Sequence, residues 1–111
     1  AQHTIERLHG RLIILTGNHD KPQHLKAARN VIEVRETLRI KLADDVRVFC
    51  SHCPFYSWPG QYRNVWHIHG HTHGTLPYRN KCMDVGWDAT GRVIISEMLL
   101  REMIYALQTS L

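Results

Sequence analysis

The sequence predicts an α/β fold in one domain, and three observations support this prediction. The run Arg11–Thr16 is almost continuously apolar and ends at a glycine, as is typical of a strand buried on both faces. Thr37–Leu42 alternates apolar and polar residues, which predicts a half-buried strand. Near the end of the chain, Ser96 resembles an N-cap, and Met98–Leu107 continues as a closing helix.

The composition excludes some classes of protein. The chain has 111 residues, of which 43% are hydrophobic and 22% are charged, values typical of one globular domain. No apolar run approaches the roughly 20 residues that span a bilayer, and no signal-peptide pattern opens the chain, so we expect no membrane association. The formal net charge of +4 is compatible with a phosphate-bearing substrate but does not require nucleic acid.

The chain contains three cysteines, Cys50, Cys53 and Cys82. Their odd number, without a secretory signal, argues for a reducing compartment, and we therefore expect a cytoplasmic protein. Cys50 and Cys53 have the spacing of half a zinc knuckle, but no second pair follows at zinc-finger spacing. We therefore expect Cys50, which ends an apolar run, to be a buried thiol.

The first third of the chain alternates short predicted elements with polar connections. Thr4–Leu8 predicts the last turns of a helix that Gly10 ends. After the buried strand, Pro22–Asn30 predicts a basic connection, and Val31–Val34 a short strand.

The remainder of the chain predicts further strands. Asp44 and Asp45 mark a turn after Thr37–Leu42, and Val46–Cys50 is the returning strand of a hairpin. Val65–His69 predicts the next strand. Two more short strands are expected from the apolar segments Cys82–Val85 and Val93–Ile95.

Four histidines at alternate positions form the most informative stretch, Trp66–Gly74. In an extended chain His71 and His73 would point to one side, with their roots about 6–7 Å apart. That separation suits ligands of two metal ions about 3.5–4 Å apart. The alternative is a histidine-rich surface strand that binds metal only adventitiously.

Polar residues able to bind metal follow three predicted strands. Asn18, His19 and Asp20 follow the first strand. His52 follows the hairpin, and the histidine stretch follows Val65–His69. Each of these candidate ligands has an alternative role that involves no metal. Asn and Asp favour turns, and His52 could be a hydrogen-bonded core histidine. Their joint occurrence favours a shared metal site.

These motifs together resemble a known family. Gly17–Asp20, His52 and Gly70–His73, in this order and at strand ends, resemble the last three motifs of the calcineurin-like metallophosphoesterases. Arg7–Thr16 and Asp84–Asp88 are similar to the corresponding segments of bacterial and phage members. The resemblance covers nearly the whole chain and implies part of a two-sheet β-sandwich flanked by helices.

The resemblance also implies a function, metal-dependent hydrolysis of phosphate mono- or diesters by a metal-activated water. Its cofactors would be two divalent ions, chosen from Mn, Fe, Zn or Ni. His19 would protonate the leaving group, and Asp20 would orient His19. The implied metal ligands are Asn18, His52, His71 and, on the first ion, His73.

The sequence departs from this family upstream of Gly17. The family's D-x-H and G-D-x-x-D motifs are missing there, and Glu6 is the only acidic residue before Gly17. We therefore expect the C-terminal part of a longer domain, with an incomplete first-metal site. The missing strands would leave a sheet edge exposed beside Leu12–Leu15, which favours a homo-oligomer.

Two alternative functions stay open. One is a non-catalytic metal-binding fragment that needs a partner. The other is a nucleic-acid-binding module, since the aromatic loop Phe55–Tyr62 with Arg63 and Arg79 could stack bases. The same aromatics could equally be core residues or the wall of a phosphate-ester substrate pocket, and the substrates of the family include nucleic acids.

Overall fold

The computed structural model describes residues 10–16, 29–72, 75, 78–92 and 94–109. The strands in these residues are β1 (Leu12–Leu15), β2 (Val31–Arg35), β3 (Thr37–Lys41), β4 (Arg47–Ser51), β5 (Val65–His69) and β6 (Cys82–Asp84). The helical segments are two 3₁₀ turns, Ala43–Asp45 and Gln61–Arg63, and two α-helices, α1 (Trp87–Thr90) and α2 (Glu97–Thr109).

The strands form two sheets. β1 and β2 pair in parallel as a two-stranded sheet. The second sheet has the order β3-β4-β5-β6, in which β3 and β4 form an antiparallel hairpin and β4, β5 and β6 run parallel. The three parallel strands therefore stack side by side in chain order, as successive strands of a β-solenoid do.

The predicted α/β sandwich flanked by helices is wrong for the described residues. The protein is mostly β, and α2 is the one helix of more than a single α-helical turn in the part of the chain that the structure describes. Parallel strands are usually joined by a crossover helix, but residues 52–64 join β4 to β5 with only a 3₁₀ turn. Pro54, Pro59 and Gly60 lie in this connection, and they disfavour a helix.

One face of the larger sheet, the helix face, packs against α2. Leu100 and Ile104, four residues apart on α2, are buried against it, as the 3.6-residue period requires. Burying each of these side chains contributes about 1.5–3 kcal/mol. The buried residues of the sheet in this core are Val48, Cys50, Trp66 and Met83.

The opposite face, the loop face, is covered by an irregular segment. Trp58 folds back over Phe49, Val65 and Cys82, and all four are buried. The Trp58 indole donates a hydrogen bond from Nε1 to the Val65 carbonyl over 2.8 Å. The connection thus covers the sheet where a crossover helix lies in α/β proteins.

Several predicted elements are confirmed. The hairpin of β3 and β4 is present, as are β5 and the strand at Val31. Ser96 caps α2, because its Oγ accepts a hydrogen bond from the Leu99 N–H over 3.1 Å. None of the helices in the described segments is long and apolar enough to cross a membrane.

Other predictions are wrong. No strand is present at Ile94 and Ile95, which lead into α2 instead, and the Ile94 side chain is 80% exposed. β1 is only half-buried, with Ile13 exposed, although Leu15 packs against the core. The predicted helix Thr4–Leu8 lies outside the described residues.

His67 is the most constrained polar side chain of the loop face. Its ring is fully buried among Phe49, Phe55 and Trp58. Nδ1 donates to the Phe49 carbonyl over 3.0 Å, and Nε2 accepts from the Phe55 N–H over 2.9 Å. A carbonyl can only accept and an N–H can only donate, so these bonds require the neutral tautomer that carries its proton on Nδ1.

Burial lowers the pKa of His67 below its ordinary value of about 6.5, because the charged ring would lose its hydration. The unfolded chain therefore binds a proton at a higher pH than the folded protein does. The stabilisation that the neutral ring contributes is present above about pH 6.5 and is lost as the pH falls below it towards the folded-state pKa.

The variant His67→Asn tests this role. Asparagine keeps a donor near the position of Nδ1 but loses the acceptor for the Phe55 N–H and part of the ring volume, so we expect about 2–4 kcal/mol of destabilisation at pH 7.5. The stability difference between wild type and variant should shrink as the pH falls from 7.5 to 5. Urea denaturation across this range measures it, and a pH-independent difference would contradict the assignment.

Candidate metal centre

The carboxyl ends of β4 and β5 bring two distant parts of the chain together. The strands are parallel and in register, with Ser51 opposite His69. Just beyond that pair, the Gly70 N–H donates to the His52 carbonyl over 2.9 Å, which extends the ladder by one hydrogen bond. The residues that follow each strand therefore lie side by side, as expected at the carboxyl edge of a parallel sheet.

His52 and His71 face each other at this edge. The His52 Nε2 and His71 Nδ1 atoms lie 3.1 Å apart, and the two rings meet edge to face with centroids 5.0 Å apart. One nitrogen donates and the other accepts in this hydrogen bond. His52 is half-buried and His71 is exposed, so the pair is open to solvent on one side.

His71 adopts a backbone conformation that is rare for a residue with a side chain. Its φ angle is +68°, in the left-handed region, where a non-glycine residue costs about 1–2 kcal/mol. The strand ends at His69, and the alternation of side chains therefore does not continue to His71. Thr72 donates its N–H to the Gly70 carbonyl over 2.8 Å, which closes a tight turn around His71.

Asp84 anchors this turn from the neighbouring strand. The Thr72 hydroxyl donates to Asp84 Oδ2 over 2.6 Å, and the Gly86 N–H donates to Oδ1 over 2.8 Å. The Asp84 side chain is only 8% exposed, and its residue lies opposite His69 in the ladder. A buried carboxylate thus holds the residue next to His71, which identifies Asp84 as a positioning residue.

Cys53 adds a third ligand atom to the pair. The ligand atoms of His52, Cys53 and His71 all lie within 4.8 Å of one another. Two nitrogens that each bind one ion at about 2.0–2.1 Å can be up to about 4 Å apart, and the observed 3.1 Å satisfies this limit. Two imidazoles and a thiolate suit zinc and other borderline-soft divalent ions, so the donor set fits a metal.

The other two cysteines are unsuited to metal binding or nucleophilic chemistry. Cys50 and Cys82 are buried and unpaired. Burial raises the pKa of the Cys50 thiol to about 11 and also raises that of Cys82, so both stay protonated at neutral pH. The prediction that Cys50 is a buried thiol is confirmed.

The structure thus brings two of the predicted ligands, His52 and His71, to one point. The remaining predicted site residues, Asn18, His19, Asp20 and His73, lie outside the described residues.

Two other histidines of the tract, His67 and His69, are buried and form hydrogen bonds within the fold. His67 belongs to the core of the loop face, and His69 is buried with its Nδ1 donating to the Gly70 carbonyl over 2.9 Å.

Sequence reasoning missed two members of the site. The sequence indicates Cys53 only as half of a zinc knuckle, because its approach to His71 depends on the pairing of β4 and β5. Asp84 belongs to a segment similar to the phosphoesterase family, but no motif assigned it a role. The one local indication was an acidic residue at the end of an apolar strand.

A scan against protein-family models, a search of curated proteins and a search of solved structures each found no match to this chain.

The variant Thr72→Val tests the anchoring of the His71 turn. It leaves the buried Asp84 carboxylate without its hydroxyl donor, which should cost about 1.5–3 kcal/mol of stability. Loss of such a supporting contact should also weaken Zn²⁺ binding about 10- to 100-fold. Urea denaturation and isothermal titration calorimetry measure the two effects.

Thr75→Val is the matched control, because the exposed Thr75 hydroxyl donates only to the Thr72 carbonyl. We expect it to change stability by less than about 1 kcal/mol. Equal effects of the two substitutions on Zn²⁺ affinity would contradict the role of Asp84.

Proposed function

We propose that this protein binds a divalent metal ion between His52 and His71 and uses it to hydrolyse phosphate esters. The 3.1 Å approach of the two imidazoles, from residues 19 positions apart in the chain, carries the proposal. The resemblance of the sequence motifs to calcineurin-like metallophosphoesterases supplies the reaction class. The formal net charge of +4 suits an anionic substrate.

A divalent ion at this site would supply positive charge to neutralise the phosphate oxygens and would lower the pKa of a bound water. The contribution of the protein is to hold the ligands. His52 and His71 bind through ring nitrogens, and the Thr72–Asp84 contact keeps His71 in its left-handed conformation. This support reduces the reorganisation needed when the ion binds, and the solvent-exposed side of the pair leaves an approach for the substrate.

The remaining roles rest on the resemblance alone. Asn18 would complete the coordination of the ion held by His52 and His71, and His73 would bind a second ion. His19 would donate a proton to the leaving alkoxide, with Asp20 orienting its ring. The bridging carboxylate of the family has no counterpart in the motifs of the given sequence.

A second candidate function is metal binding without turnover, and the position of Cys53 favours it. Histidine nitrogens and cysteine thiolates are common zinc ligands, whereas manganese prefers oxygen ligands. A preference for Zn²⁺ over Mn²⁺ is expected of both candidates, because most nitrogen and sulfur sites bind Zn²⁺ more tightly. Turnover of a phosphate ester therefore separates the candidates.

The variant His71→Asn tests the proposed function. Asparagine tolerates a positive φ, so the turn is kept while the imidazole is lost. We expect Zn²⁺ and Mn²⁺ affinity to fall at least 10-fold, and metal-dependent hydrolysis of p-nitrophenyl phosphate and bis-p-nitrophenyl phosphate to fall with it. Calorimetry measures the affinity, and release of p-nitrophenol measures the hydrolysis.

Two further variants provide the controls. Thr75→Ala removes an exposed side chain from the same loop and should leave both quantities unchanged. Cys53→Ala should weaken Zn²⁺ binding only if the thiolate is a ligand. Metal binding that depends on His71 without any turnover would favour the second candidate, and binding that is insensitive to His71→Asn would refute both.

A further inference from the structure

Two tyrosines on the connection between β4 and β5 are almost fully exposed. The side chain of Tyr62 is 94% exposed and that of Tyr56 is 85% exposed. Neither contributes to the core, since Trp58 is the buried aromatic residue of this connection. Two large rings are thus presented to solvent within seven residues.

Three arginines, Arg39, Arg63 and Arg79, lie on the same part of the surface as these rings. Arg79 lies over the Tyr56 ring, with its guanidinium carbon 5.8 Å from the ring centroid, and it donates to the Phe55 carbonyl over 3.2 Å. Arg63 follows Tyr62 directly, and Arg39 is exposed on the loop face of β3. In the part of the chain that is described, Arg39, Arg63 and Arg79 form no ion pair with a carboxylate.

The rings and arginines line two adjoining clefts. The first has a volume of about 350 Å³ and includes Arg39, Arg47, Tyr62 and Arg63. The second has a volume of about 280 Å³ and includes Tyr56, Tyr62 and Arg79. Tyr62 lines both clefts, and none of the described residues lining either cleft is acidic. The nearby Asp45 pairs with Lys41 and Arg47 instead, and those cations lower its pKa.

The backbone that carries Tyr62 is held in place. Gly60 has a φ of +82°, and a Cβ there would lie 2.3 Å from Val65 Cγ2, so this position requires glycine. The Arg63 and Val65 N–H groups both donate to the Gly60 carbonyl, over 2.8 and 3.1 Å. The exposed ring therefore projects from an ordered turn, and a ligand would bind it with little loss of backbone entropy.

We propose that this surface, formed by Arg39, Tyr56, Tyr62, Arg63 and Arg79, binds single-stranded nucleic acid. Exposed aromatic rings stack on unpaired bases, and arginines contact the phosphates between them. A duplex keeps its bases stacked on each other and cannot offer them to the tyrosines. Tyrosine and arginine are also enriched in protein interfaces, so heparin, an anion without bases to stack, serves as the comparison in the test.

The Tyr62 end of this surface is distinct from the metal centre. Gly60–Arg63 lies beside Arg47 and Val65, at the amino ends of β4 and β5, whereas His52 and His71 lie beyond their carboxyl ends. The length of the strands separates Tyr62 and Arg63 from the metal centre by about 13 Å, at 3.3 Å per residue. Nucleic-acid binding therefore does not depend on the proposed hydrolysis, and it should persist in EDTA.

Fluorescence anisotropy with labelled dT12 and U12 in EDTA tests the proposal. Tyr62→Ala and Tyr56→Ala should each weaken binding about 5- to 150-fold, the effect of losing one stacked base. Arg63→Ala should weaken binding and reduce the slope of log affinity against log salt by about 0.7, the value for one phosphate contact. Because these side chains are exposed, the variants should fold normally, which circular dichroism checks.

Tyr105→Ala and Arg92→Ala are the matched controls, because both residues are exposed and neither lines the two clefts. They should change the affinity less than twofold. Weaker binding of a 12-base-pair duplex than of either single strand would support the proposal, and the ratio of dT12 to U12 affinity would show which nucleic acid is preferred. Binding of heparin and of dT12 that is equally tight and unaffected by both tyrosine substitutions would overturn it, since charge alone would then explain the binding.

Discussion

The in-register parallel pairing of β4 and β5 is the constraint on which the rest of the structure depends. It places Phe49 beside His67 in the sheet and Ser51 beside His69, and it brings His52 and His71 together one step further along. Moving the register by one residue would turn every side chain of β5 to the opposite face. The core of the loop face and the candidate metal centre therefore depend on the same alignment.

The connection between β4 and β5, residues 52–64, contributes to the metal centre, to the core of the loop face and to the exposed tyrosine surface. At its start it carries His52 and Cys53 at the metal centre, and in its middle Trp58 covers the loop face. Near its end, the turn at Gly60 presents Tyr62 to solvent. A crossover helix would cover the sheet with a regular apolar stripe, whereas this irregular segment covers it with a few aromatic contacts. The cost is a need for specific hydrogen bonds, which His67 and Trp58 supply.

The alternating pattern of Thr37–Leu42 and the turn at Asp44 predicted the hairpin, because both signals are local. The helix cap at Ser96 was predictable for the same reason. The segment around Ile94 contains β-branched residues, which favour strands, but in the folded chain Ile94 and Ile95 lead into the capped helix α2. The strand and helix patterns predicted the α/β class, and the family resemblance added helices on both sides of the sheets. The described residues contain α2 on one face of the larger sheet, and the loop with Trp58 covers the other.

The sequence by itself determined where the strands of the larger sheet lie and that histidines follow two of them, because strand periodicity and turn residues act over a few positions. Only the tertiary structure decided which histidines meet. His67 and His71 are four residues apart in one tract, yet one is sealed in the core and the other faces His52 across the sheet edge. The physical reason is that strand pairing and the left-handed turn at His71 set the direction of each ring, and contacts between residues distant in the chain determine both.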